Sequence, residues 1–210
     1  GGVFREGNTD SFDARGRMEL TRKTDLDLLR FYVAGIYGEK NDARNAAEAT
    51  AGAYYEHLLT SRLFGYARND YEYDEFENLD LRVTLAAGLG YYWLKEAEHE
   101  LKTRVGAGLL HENYMDDTED ETTAIGDVGL DYRLDVNPWL RFTHSATYVP
   151  TFESLNNYRL KFDTAFLIPI AKSDQWKLKL GMLNEYNSRP SPGVDRLDNT
   201  YYANIQLNLE

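Results

Sequence analysis

Four histidines, His57, His99, His111 and His144, are the side chains best suited to moving a proton near neutral pH. They are scattered, with no HExxH pair and no other metal-ligand spacing. One of them, His144, stands beside Ser145, and a His–Ser pair could activate a hydroxyl for attack on a lipid ester. A triad needs both side chains converging on one side, with a third group orienting the base. Neighbours on a strand point to opposite faces, so His144 and Ser145 diverge, and Thr164 is the nearest hydroxyl to propose on the histidine's side. Membrane-embedded lipid hydrolysis is therefore only an alternative reading; the chain is not expected to be an enzyme, and no catalytic residue is assigned. The acidic run Asp116 to Glu121 lacks the spacing and the distant Glu of a calcium loop, so it reads as a solvated loop that attracts cations loosely. Glycines fall inside alternating runs rather than in a phosphate-cradling loop, so no cofactor and no metal is expected.

A larger set of ionic residues recurs at every second position. It comprises Arg15, Arg17, Arg30, Glu48, Arg68, Asp70, Arg82, Arg104, Asp127, Asp131, Arg133, Arg141, Arg159, Lys161, Asp163, Lys177 and Lys179. Asp13 and Asp80 fall on the same face by the same rule. On the inside of a barrel these residues could line a pore that selects ions or small polar solutes. They could equally pair with one another, fill the lumen and brace the wall.

The stretch Leu79 to Trp93 shows what must position them. Leu79, Leu81, Val83, Leu85, Ala87, Leu89 and Tyr91 alternate with Asp80, Arg82, Thr84, Ala86, Gly88, Gly90 and Tyr92. That is a strand with an apolar and a polar face, far longer than the usual five or six residues. At roughly 3.3 Å per residue and a tilt of about 45°, it can cross a bilayer's hydrocarbon core. Small and charged residues suit a water-facing lumen better than a soluble core. A chain of 210 residues suits one domain spanning 1–210. Mean hydropathy is −0.58 and no run of about 18 apolar residues occurs, which excludes a transmembrane helix but not a barrel. Cysteine is absent, so disulfides and thiolate sites are too. A net charge of −12 and a pI near 4.8 argue against nucleic acid as a partner. No signal peptide is visible in a sequence that starts at Gly1; export requires one, and it is expected to have been removed or to lie outside this sequence.

The same alternation recurs along the chain: 11–21, 29–37, the Ala-rich 47–55, 63–72, 101–109, 124–134, 140–148, 160–168, 178–182 and 201–209. The Ala-rich run resembles a helix in composition, but its polar residues recur at period two. With an incomplete first strand, the expectation is an all-β, transmembrane, antiparallel up-and-down β-barrel of about twelve strands. Eight strands are filled by side chains and sixteen leave an aqueous channel, so a narrow or occluded lumen is favoured. Short turns near residues 23, 60, 96, 137 and 173 alternate with longer polar loops near 41 (Glu39 to Asn45), 75, 118, 153 and 193. Trp93, Trp139 and Trp176 then collect at the short-turn end. Tyr37, Tyr71, Tyr114, Tyr148, Tyr158 and Tyr186 collect at the other, which reads as two interfacial girdles.

The segment Glu6-Gly7-Asn8-Thr9-Asp10-Ser11, then Phe64-Gly65-Tyr66-Ala67, Asp70, Leu79-Asp80-Leu81-Arg82 and Gly88-Leu89-Gly90-Tyr91, resembles the salt-induced outer membrane protein family of Gram-negative bacteria. The resemblance covers most of the chain. It implies an exported barrel in the bacterial outer membrane, embedded in outer-membrane lipid, with no established activity and no catalytic residues to carry over. Such barrels usually finish in an aromatic residue, and this chain finishes Asn208-Leu209-Glu210. The expected function is a porin-like narrow or occluded channel for ions or small polar solutes, or an envelope-structural role. A soluble ligand-binding barrel, with its apolar face turned inward, is the remaining alternative.

Overall fold

Alternation favours strands because a pleated backbone sends successive side chains to opposite faces. The computed structural model describes residues 2–5, 11–40, 43–75, 78–116, 119–170, 176–190 and 194–207, with side-chain surroundings for 16–39, 47–75, 78–116, 119–170, 176–190 and 194–205. The strands are β1 (Gly2–Arg5), β2 (Ser11–Lys23), β3 (Asp27–Lys40), β4 (Ala43–Leu58), β5 (Leu63–Asp74), β6 (Leu79–Lys95), β7 (His99–Tyr114), β8 (Glu121–Asn137), β9 (Leu140–Pro150), β10 (Tyr158–Pro169), β11 (Trp176–Asn187) and β12 (Leu197–Leu207). They form one 12-stranded sheet in sequence order, each strand antiparallel to its neighbours. The sheet curls on itself: Arg159 of β10 comes within 3.3 Å of Glu72 of β5.

Which face points where follows from exposure. On β6, Leu85 and Leu89 are 47% and 50% exposed, whereas Arg82 and Tyr92 are each 4% exposed. Met18, Val33, Val105, Val128 and Ile205 repeat the outward apolar pattern on β2, β3, β7, β8 and β12. Charged and polar side chains occupy the concave side. This overturns the soluble-barrel alternative, which needs the apolar face inside; a water-soluble fold buries that surface.

The Ala-rich run is strand, as period two requires. Three expectations change at strand ends. In the polar segment Glu39 to Asn45, residues 39–40 and 43–45 are strand rather than loop, and residues 41–42 lie outside the described residues. Here β3 runs to Lys40 and β4 starts at Ala43, with a register shift at Gly38/Glu39. Charged side chains there are no bar to strand, because pairing needs only the backbone. The connection near 75 is also short, with β5 ending at Asp74 and β6 starting at Leu79. Asn78 takes φ 61° there, a left-handed conformation that Asn tolerates well. Finally, a bulge between Leu79 and Leu81 resets parity at the start of β6. Leu79 is buried inside and Asp80 is exposed, the reverse of strict alternation.

Glycines seat the inward rings. Gly88 of β6 faces Gly106 of β7 in the ladder, and a methyl group on Gly106 would strike the Ala87 carbonyl and the Tyr66 hydroxyl. Gly90 likewise leaves room for the Phe64 ring.

Candidate functional site

The concave face of β4 to β8 is packed with ion pairs. Asp127 of β8, 0% exposed, is their centre. It accepts from Arg68 Nη2 at 2.6 Å and Nε at 3.0 Å, from the Tyr66 hydroxyl at 2.7 Å and from Arg104 Nε at 3.3 Å. Arg68 also pairs with Asp70, which accepts from the Tyr32 hydroxyl at 2.5 Å. Arg104 continues to Asp131 at 3.3 Å and to Thr147 at 3.0 Å. The strand pattern explains the convergence: Tyr66, Arg68 and Asp70 lie at alternate positions on β5, and Asp127 and Asp131 share the same face of β8.

Two further clusters flank this centre. Toward the short-turn end, Lys102 Nζ donates to Glu56 at 2.7 Å, and Glu56 also accepts from Tyr92 and, at 3.0 Å, from Tyr54. The Lys102 ammonium lies 5.3 to 5.6 Å from the ring centroids of Tyr92, Phe64 and Tyr54. Toward the loop end, Arg82 sits between Glu112 at 2.6 Å and Glu72 at 2.9 Å. Glu72 also holds Arg159, and this pair crosses from β5 to β10. Above it lies a cavity of about 170 Å³ lined by Arg82, Glu112, Tyr114, Thr123, Arg159 and Arg189, among others.

The opposite wall is wetter. Lys161 is 54% exposed and pairs with Glu185 at 2.6 Å; Lys179 reaches Asp163 at 3.2 Å; Arg141 pairs with Asp135. Lys177 shares the concave face of β11 with Lys179. On β2 and β3, Arg17 (45% exposed) and Arg30 flank Glu19 at 3.3 and 3.6 Å. Arg133 bridges Asp135 at 3.0 Å and Glu100 at 3.9 Å. Glu48 lies on the same face, opposite Asp74 in the ladder. Arg15 and Asp13 lie outside the residues whose side chains are described.

The charge is unevenly shared. On β4 to β8, Glu48, Glu56, Asp70, Glu72, Asp74, Glu100, Glu112, Asp127, Asp131 and Asp135 share the concave face with Arg68, Arg82, Lys102, Arg104 and Arg133. On β9 to β11 the balance reverses: Arg141, Arg159, Lys161, Lys177 and Lys179 face Asp163 and Glu185. Asp198 of β12 adds one acid to this side; Arg17 and Arg30 against Glu19 add one net cation.

Some partners were not singled out from sequence. Glu56, Glu72, Lys102 and Glu112 obey the alternation, and parity alone puts them inside. Tyr32, Tyr54, Tyr66, Tyr92 and Tyr202 also face inward as hydrogen-bond donors and ring surfaces, and parity was again the available signal.

Outside, Trp93, Trp139 and Trp176 are all well exposed at the short-turn end, and Trp93 donates to Thr103 at 2.9 Å. At the loop end, Tyr37 and Tyr71 are exposed, and the rings of Tyr148, Tyr158 and Tyr186 form a row at 5.5 and 5.8 Å. Tyr114 is not part of this girdle. It has the parity of Glu112 on β7 and lines the cavity beside Arg82. His144 Nδ1 is 2.8 Å from Thr164 Oγ1 and its ring stacks near Phe162, while Ser145 stands opposite Asp131 and Asp163 on the concave face. The pair diverges as strand geometry requires.

No curated protein sequence matches the chain. Among solved structures, the NanC porin in a rhombohedral crystal form aligns over 99% of this chain and 98% of its own, at 9% identity and a TM-score of 0.58. At that identity the similarity speaks to the fold, an antiparallel up-and-down β-barrel architecture. The family model described as "Protein of unknown function, DUF481" matches residues 1–208, and the chain belongs to that family.

Proposed function

We propose that this protein sits in the bacterial outer membrane, surrounded by lipid, and conducts small polar or charged solutes through a narrow lumen. The observation that carries the reading is the inversion of the sheet: Leu81, Leu85 and Leu89 point outward while Arg82, Lys102 and Asp127 are buried on the concave side. Only a hydrocarbon solvent rewards the first, and only an aqueous or salt-bridged interior tolerates the second. The exposed tryptophans at one end and tyrosines at the other fit two interfaces. The porin-like fold supports the channel half of the proposal, and the resemblance to salt-induced outer membrane proteins supports the location.

The lumen is narrow because its β4–β8 side is filled. Water and solutes pass along the wetter wall of β9 to β11 and β2 to β3, and the Glu72–Arg159 pair narrows this path near the loop end. The protein does no covalent chemistry. The test is conductance of the folded chain in planar bilayers. Discrete steps are expected, larger in Arg159→Gln because the crossing pair is gone. A silent bilayer with both proteins would leave only an envelope-structural role.

A further inference from the structure

We infer that the lumen carries a transverse electric field and selects small zwitterions, molecules with a cationic and an anionic end, over ions of either single sign. This rests on the channel reading and names its substrate class. The motivating feature is the charge separation between the two walls. The β4–β8 wall has an excess of carboxylates, and the β9–β11 wall has an excess of ammonium and guanidinium groups. The excesses are of opposite sign, the acidic one the larger, so an ion of either single sign is attracted by one wall and repelled by the other. They do not cancel locally. Arg159–Glu72 joins β10 to β5 and Arg141–Asp135 joins β9 to β8, while the pairs of Arg68, Arg104 and Lys179 stay within one wall.

The separation also reaches water where it matters. Lys161, Arg141 and Lys179 retain solvent access on the basic wall, and Asp131 and Glu72 retain it on the acidic one. A solute with a carboxylate and an ammonium can therefore satisfy both walls at once by lying across the path. A simple anion meets one attractive and one repulsive wall, and so does a simple cation. Opposed fixed charges in a confined, partly desolvated space act more strongly than they would in bulk water.

The test uses proteoliposomes of the folded full chain and three solutes of matched size: β-alanine, its anionic analogue β-hydroxypropionate, and its cationic analogue propanolamine. Leakage through empty vesicles is subtracted. β-Alanine is expected to enter roughly two- to fivefold faster than either analogue, the factor that one solvent-accessible ion pair supplies. In Lys161→Gln/Lys179→Gln the zwitterion loses that lead and propanolamine becomes the fastest, because the acidic wall is then unopposed. Equal entry of all three solutes, or a lead for one charged analogue in the unaltered protein, overturns the inference and leaves the channel intact. Entry of none overturns the channel and the inference with it.

Discussion

Replacing Asp127 by Asn is the sharpest test of the interior network. The two side chains have the same shape, so the change removes charge and acceptor capacity while leaving volume alone. Four donor contacts converge on this carboxylate: two from Arg68 at 2.6 and 3.0 Å, one from Tyr66 at 2.7 Å and one from Arg104 at 3.3 Å. Asn must turn an NH2 toward some of these donors. Losing one partner of a buried ion pair costs about 3–5 kcal/mol. Arg68 keeps Asp70 and Arg104 keeps Asp131, so the lower end, about 3 kcal/mol, is expected here. With a urea slope of about 3 kcal/mol/M, the unfolding midpoint falls by roughly 1 M. The assay is equilibrium unfolding from lipid vesicles followed by tryptophan fluorescence. Glu119→Gln, on an exposed loop, is the control and should stay within about 0.5 kcal/mol. If Asp127→Asn shifted the midpoint no more than the control did, the network would not be bracing the wall.

Leu85→Arg puts a cation on the outward face of β6, where Leu85 is 47% exposed. A loss of about 2–4 kcal/mol is expected in bilayers if this position lies near the midplane, read from the same unfolding curves, and a neutral result would contradict lipid contact. Gly106→Ala sets a methyl against the Ala87 carbonyl and the Tyr66 hydroxyl. Backbone cannot yield as a side-chain tip can, so about 1–3 kcal/mol of overpacking is expected. Gly16→Ala, where an added methyl meets open space, is its comparison and should be nearly silent by the same measurement.

Period-two alternation settled most of this protein in advance. It assigned strands even to Ala47–Tyr55, whose composition is helical, because a strand's faces are set by parity and not by residue preference. It put Arg68, Arg104 and Asp127 on one side and Leu85 and Leu89 on the other, and the exposure of the leucines in the folded sheet decided which side is outward. It failed where a bulge changed the count. Leu79 went inside and Asp80 outside because an extra residue in β6 reset the parity, and nothing in local composition marks that point. Tyr114 was sorted by its position along the strand when its parity with Glu112 decided its direction. What no single strand could reveal is who meets whom across the interior. Asp127 finds Tyr66 and Arg68 from 61 and 59 residues away, and Arg159 finds Glu72 from 87, because the sheet curls. Alternation assigns a face; only curvature and stagger decide which charges face one another, and therefore which wall ends acidic and which basic.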